Sequence, residues 1–304
     1  MSRRPDADVP PGLLLVDKPG GMTSHDVVAQ ARRALSVRKV GHAGTLDPMA
    51  TGLLVLGVGT ATRLLGYVGG HDKTYEATIR LGQSTVTDDR EGEVLSATAA
   101  AHLDDDAVRS ALAAQTGPLQ QVPSAVSAVK VDGRRSYDRV RAGETVELAA
   151  RSVTVHRLEV HRVTRPTPDL VDVDVTVDCT AGTYIRAIAR DAGAALGVGG
   201  HLTALRRTAS GPFTVAQAGV VEDAAASLVA GGGAGFLPLT EAARVVFPER
   251  RLTTEEARAL GYGQRIPATG SGGLHAAVAP DGRLAALVED AGSTARVTVG
   301  FPPP

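Results

Sequence analysis

Val171-Asp172-Val173-Asp174-Val175-Thr176-Val177-Asp178-Cys179 alternates apolar and polar residues along its whole length. That period of two marks a strand with one face buried and the other wet. Thr74-Tyr75-Glu76-Ala77-Thr78-Ile79-Arg80-Leu81 repeats the pattern, with Tyr75, Ala77, Ile79 and Leu81 facing inward. With Val153–Val163 as a further strand, these segments predict an antiparallel sheet solvated on one side. Asp172, Asp174 and Asp178 fall on the polar face; three aligned acids can suggest a metal site, but the alternation favours an exposed sheet face.

Outward from these strands, Leu13–Val16 and Leu53–Leu56 are short apolar runs that read as buried strands. The first ends in Asp17-Lys18-Pro19-Gly20-Gly21, a tight turn. Helices are predicted from Ser24, taken as N-cap, with Val27, Val28, Ala31 and Leu35 on one face. Two more are predicted over 104–115, which opens on three aspartates, and over Thr183–Leu196. Residues 36–51 lack periodicity and read as an ordered loop. Gly231-Gly232-Gly233-Ala234-Gly235 suits a flexible junction, beyond which a short helix, Thr254–Leu260, and strand-like pieces near 274–288 and 295–299 predict a small β-rich module.

The 304 residues carry a net charge of −1 and 43% hydrophobic residues, a globular composition. No apolar run approaches the ~20 residues of a membrane span. Met1–Pro11 is polar and lacks the apolar core of a secretory signal, so the cytoplasm is the expected compartment. Cys179 is the single cysteine, which excludes an internal disulfide and a multi-cysteine zinc site. Near-neutral charge conceals basic clusters: Arg32, Arg33, Arg38 and Lys39; Lys130, Arg134, Arg135, Arg139 and Arg141; and Arg186, Arg190, Arg206 and Arg207. Phosphate binding needs local cations rather than a high total charge, so the clusters are compatible with RNA.

The chemistry centres on Gly41-His42-Ala43-Gly44-Thr45-Leu46-Asp47-Pro48-Met49-Ala50-Thr51-Gly52. A glycine-punctuated loop presents one acid, Asp47, just before a buried strand. Such a carboxylate can act as nucleophile or base; it can also simply cap the turn before Pro48. Met49 stands where an aspartyl phosphatase needs a second acid, and no phosphate-binding, nucleophile-elbow or dinucleotide motif is present.

This loop closely resembles the signature of the TruB family of pseudouridine synthases, and the resemblance spans roughly residues 12–215. Asp17-Lys18-Pro19 is similar to the family's N-terminal motif and Lys73-Thr74-Tyr75 to the segment with its active-site tyrosine. Gly182-Thr183-Tyr184-Ile185-Arg186 resembles its arginine motif, and His201-Leu202-Thr203-Ala204-Leu205-Arg206-Arg207 its late motif. The resemblance implies an α+β pseudouridine synthase fold on a central antiparallel or mixed sheet, followed by a small PUA-like module. It divides the chain into a disordered 1–11, a catalytic domain over 12–235 and a C-terminal domain over 240–304.

By the same resemblance the enzyme isomerises uridine 55 of the tRNA T loop. Asp47 is then the catalytic carboxylate, Arg186 its ion-pair partner, and Tyr75 the residue facing the flipped base. Tyr184 and Leu205 would line the pocket, His42 would help displace the nucleotide, and Lys18 would support the loop. Segment 119–147 is similar to the family's RNA-binding insertion. Lys39, Lys130, Arg134, Arg135, Arg206 and Arg207 are the expected RNA contacts. No cofactor, metal or guide RNA is implied, and a monomer acting on the T arm is expected. Two other readings remain open: a tRNA-binding folding factor with secondary catalysis, and an RNA-guided relative, which the bacterial-type insertion opposes.

Overall fold

The computed structural model describes residues 9–123 and 149–301, with the backbone of two short strands at 130–131 and 134–135. The first strands are β1 (Gly12–Lys18), β2 (Val40–Ala43), β3 (Thr51–Val58) and β4 (Lys73–Leu81). A small hairpin, β5 (Gln83–Thr85) with β6 (Val94–Ala97), follows, then β7 (Gly117–Gln121) and the pair β8 (Lys130–Val131) and β9 (Arg134–Arg135). Next come β10 (Arg151–Thr167), β11 (Leu170–Cys179), β12 (Gly200–Ser210), β13 (Phe213–Thr214) and β14 (Phe236–Pro238).

Among the described residues the main sheet has ten strands, in the order β14-β1-β3-β12-β4-β11-β10-β7, with β2 on β3 and β13 on β12. Every pairing in it is antiparallel except β3 with β12, where Arg206 and Arg207 lie beside Thr51 and Gly52. This parallel joint divides the sheet into two antiparallel halves. Gly52 is required there: its φ is +97°, and a Cβ would lie 2.3 Å from the Arg207 carbonyl oxygen.

Alternation sets the two faces. On one, Tyr75, Ala77, Ile79, Leu81 and the inward valines of β11 pack with helices Ser24–Leu35, Asp105–Ala113, Ile185–Ala195 and Val221–Val229. On the other face of β4 and β11 the polar residues form a ladder. Asp172 pairs with Arg80, Asp174 with Arg162 and Thr78, and Asp178 with Arg157. These acids therefore serve an exposed sheet face.

Beyond β14, helix Leu239–Val246 leads to β15 (Glu249–Arg251), β16 (Ile266–Pro267), β17 (Leu274–Val278), β18 (Leu284–Ala291) and β19 (Thr294–Gly300), with helix Thr254–Gly261 between β15 and β16. Their sheet order is β15-β17-β18-β19-β16. One apolar cluster joins this module to the main sheet: Leu13, Leu15, Leu53 and Val55 meet Ala242, Ala243, Leu284, Leu287 and Phe301.

Four local expectations change. Thr23, not Ser24, caps the first helix: its side chain accepts from Asp26 N while Asp26 accepts from Thr23 N. Residues 36–51 contain a strand, β2, hydrogen-bonded along β3. The piece 274–288 is a hairpin, β17 and β18. Gly231–Gly235 does not end the main unit, because Leu15 N donates to Gly235 O at 2.8 Å and β14 then pairs with β1. No described helix is long and apolar enough to cross a membrane.

Candidate active site

The loop between β2 and β3 is fastened from three directions. Ser24, free of capping duty, accepts from Leu46 N at 2.9 Å and donates to Leu46 O at 3.1 Å. Lys18, fully buried at the end of β1, donates to Pro19 O, Met22 O and Pro48 O. Burial lowers its ammonium pKa to about 8. Arg207, 1% exposed on β12, donates through Nε to Leu53 O at 2.7 Å and through Nη2 to Gly44 O at 3.1 Å. Asp47 is thereby held on a fixed turn beside the parallel joint.

Arg186 approaches Asp47 from the first turn of helix Ile185–Ala195. Its Nε lies 3.1 Å from Oδ2 and its Nη2 3.3 Å from Oδ1, the two-pronged geometry of a guanidinium on a carboxylate. The third nitrogen, Nη1, donates to Thr87 O at 2.8 Å and to Asp89 Oδ2 at 3.3 Å. Asp89 is itself buried, accepting from Thr87 Oγ1 at 2.5 Å and from Glu91 N at 3.0 Å. One buried arginine thus bridges two carboxylates, and the half-exposed one faces the cavity.

That cavity, of about 320 Å³, is lined by Asp47, Lys73, Tyr75, Tyr184, Arg186 and Leu205, with Arg151 and Arg207. Burial raises the Tyr75 phenol pKa. Tyr184 immediately precedes the arginine helix, and buried Gln121 clamps its backbone: Tyr184 N donates to Gln121 Oε1 at 2.9 Å and Gln121 Nε2 to Tyr184 O at 3.3 Å. A desolvated wall, an aromatic ring and an oriented carboxylate can hold one planar base against one reacting group.

Known families place this arrangement. The model described as "TruB family pseudouridylate synthase (N terminal domain)" matches residues 32–185, and two TruB C-terminal models match 186–230 and 247–302. The chain belongs to the TruB family of pseudouridine synthases. These TruB enzymes are isomerases. A relative named tRNA pseudouridine synthase B, from Paenarthrobacter aurescens (strain TC1), is 56% identical over 302 residues, covering 96% of this chain and 95% of its own. One of the same name from Thermobifida fusca (strain YX) is 56% identical over 293 residues, covering 95% and 98%. Among solved structures, a chain from a Cbf5-Nop10-Gar1 complex is similar with a TM-score of 0.70 and 26% identity, over 96% of this chain and 85% of that one.

Within this TruB enzyme the predicted residues divide. Asp47, Tyr75, Tyr184, Arg186 and Leu205 come together in the cavity, and Lys18 lies beneath its loop. His42 sits on β2 outside the lining, its ring edge-on to His25 at 5.3 Å. Lys39 is exposed, and Arg206 is half-exposed and paired with Asp17 at 2.6 Å. Arg207, expected as an RNA contact, is buried and bonded to the Leu53 and Gly44 carbonyls, and it also lines the cavity. The side chains of Lys130, Arg134 and Arg135 lie outside the described residues, as does most of segment 119–147 and residues 1–8.

Asp89, Gln121, Lys73 and Arg151 were missed. Lys73 carried a signal, because it is in phase with inward Tyr75. Asp89 lies in the charged turn Thr87-Asp88-Asp89-Arg90-Glu91, where composition alone suggests solvent. Gln121 reaches Tyr184 across 63 residues, and nothing local announces that contact.

Proposed function

We propose that this TruB-family synthase converts uridine 55 in the T loop of tRNA to pseudouridine, with Asp47 as catalytic carboxylate. It acts as a monomer, without cofactor, metal or guide RNA. The observation that carries the reading is the two-pronged Asp47–Arg186 pair inside a cavity walled by Tyr75, Tyr184 and Leu205. The names of relatives 56% identical over nearly the whole chain support tRNA as the substrate.

The target base is stacked within folded RNA and must be extruded to reach such a cavity. Tyr75 then stacks on the flipped ring, and Leu205 keeps water from the reacting bond. Arg186 holds Asp47 ionised and aimed. The C1′–N1 bond breaks, the uracil rotates and C5 bonds to C1′, while C5 loses a proton and N1 gains one. Asp47 serves this exchange at C1′, at C6 or as a proton acceptor in a glycal route. The catalytic domain runs from residue 12 through the strand Phe236–Pro238, and the C-terminal module grips RNA beyond the T loop.

The test is to incubate the protein with an unmodified tRNA transcript and map pseudouridine by carbodiimide modification and reverse transcription. A single new stop at position 55, absent with Asp47→Asn, is expected. Tight binding with no modification by the unaltered enzyme would overturn the reading in favour of a folding factor.

A further inference from the structure

Lys73 opens β4 and stands on the same buried face as Tyr75, two residues along. It is 6% exposed and lines the cavity. Its ammonium donates to Gly69 O at 2.6 Å and to His71 O. No side-chain carboxylate among the described residues forms an ion pair with it. An ammonium has three protons to donate, so one remains for the cavity. Burial lowers its pKa to about 8, which leaves it mostly charged at neutral pH.

Of the two buried arginines beside it, one is matched by carboxylates and the other, like Lys73, is bonded to carbonyls. Arg186 is matched by Asp47 and Asp89, and Arg207 has Nε and Nη2 committed to two carbonyls. A buried cation bonded only to carbonyls is costly to desolvate unless an anion comes to it. Fixed charge of this kind is most effective where charge develops during reaction.

We infer that Lys73 is a catalytic residue that stabilises the uracil ring while it is detached from the ribose. The inference rests on the reaction proposed above. When C1′–N1 breaks, the bonding electron pair leaves with the uracil and spreads over N1, O2 and O4. Asp47 bonds to C1′, or a C2′ proton is removed, to satisfy the ribose; if Asp47 has instead added to C6, the ring carries the charge as an enolate. Each route therefore places an anion in the cavity. Lys73 neutralises it until C5 has bonded to C1′, the C5 proton has gone and N1 has been protonated.

Lysine could instead serve the fold alone, by closing carbonyls at the end of helix Leu65–Gly69. Lys73→Gln separates the two roles, because its amide still donates to those carbonyls but carries no charge. Single-turnover rates are measured on tRNA bearing uridine or 5-fluorouridine at the target position, scoring the first carbon-linked product. Fluorine withdraws electron density and stabilises the departing anion, so that substrate depends less on Lys73. Lys73→Gln is expected to slow uridine by about 100-fold and 5-fluorouridine at least tenfold less, with Lys73→Arg restoring much of the difference. Equal losses on both substrates, or no loss, would overturn the role of Lys73 while leaving the proposed reaction intact. An unaltered enzyme inactive on uridine would instead remove the reading beneath it.

Discussion

Replacing Lys18 by methionine tests whether a buried charge under the Asp47 loop is retained against its own desolvation. The ammonium is fully buried and its pKa is about 8, against an ordinary 10.5. At about 1.36 kcal/mol per pH unit, that gap is about 3 kcal/mol. The folded state releases the proton first, so the unfolded chain holds more protons between pH 8 and 10.5. Stability from this group therefore rises with pH across that window; below pH 8 the full penalty applies.

Lys73 adds a similar rise. Cys179 opposes both, because burial raises its thiol from 9.0 to about 11 and its contribution falls as the unfolded thiol ionises. The difference between variant and parent isolates Lys18. Lys18→Met also strands the carbonyls of Pro19 and Met22, at roughly 1–3 kcal/mol for a buried polar group left unpaired, while Pro48 O keeps its bond from Gly21 N. Relative to the parent, the variant is expected to lose about 3 kcal/mol of stability as pH rises from 7.5 to 10.5, because only the parent is relieved of the buried charge. Urea unfolding followed by circular dichroism at half-unit pH steps reads this directly. A difference between variant and parent that stays constant with pH would refute a charged, desolvated Lys18.

Asp89→Asn removes one of the two carboxylates on Arg186 and is expected to lower kcat/KM by roughly 10–100-fold, the range of a charged hydrogen bond, with filter-binding affinity for tRNA within about twofold. Gln121→Leu removes both bonds to the Tyr184 backbone; about 1–3 kcal/mol of lost positioning corresponds to roughly 5–150-fold in single-turnover rate. Gly52→Ala forces a Cβ to 2.3 Å from Arg207 O at a positive φ and is expected to lower the melting temperature by roughly five degrees, on the order of 3 kcal/mol. Gly21→Ala has a positive φ but nothing within 4 Å, and is expected to cost only about 1 kcal/mol of backbone strain.

Alternation was the most legible feature of this chain. It located β4 and β11 and separated their buried and charged faces, because a period of two leaves no freedom about which side a residue occupies. Had that rule been applied one step further back, Lys73 would have been placed inside as well. Ser24 misled for a different reason. Thr23 and Ser24 are both good capping residues, and the choice follows from Asp26, which completes a capping box three residues after Thr23 but not after Ser24. The loop signature pointed to Asp47, and a separate motif, Gly182–Arg186, to the arginine that pairs with it. What remained hidden depended on chain segments meeting: Gln121 with Tyr184, Asp89 with Arg186, and Gly235 with Leu15. Each is a hydrogen bond or ion pair between distant positions, and neither periodicity nor composition encodes it.

The apolar cluster beneath β1 and β3 also governs how this molecule can be cut and recombined. A chimera that exchanges the C-terminal module at Gly231–Gly235 would set foreign side chains against Leu13, Leu15, Leu53 and Val55, and would sever the strand Phe236–Pro238 from its own partner. Arg63, which donates to the Gly300 carbonyl, would face a new acceptor. The transferable unit is therefore the module together with these contacts on the first and third strands, a boundary that follows packing rather than chain order. Because Lys18 closes the same strand that begins with those leucines, a poorly matched graft would loosen the floor of the Asp47 loop from the opposite end.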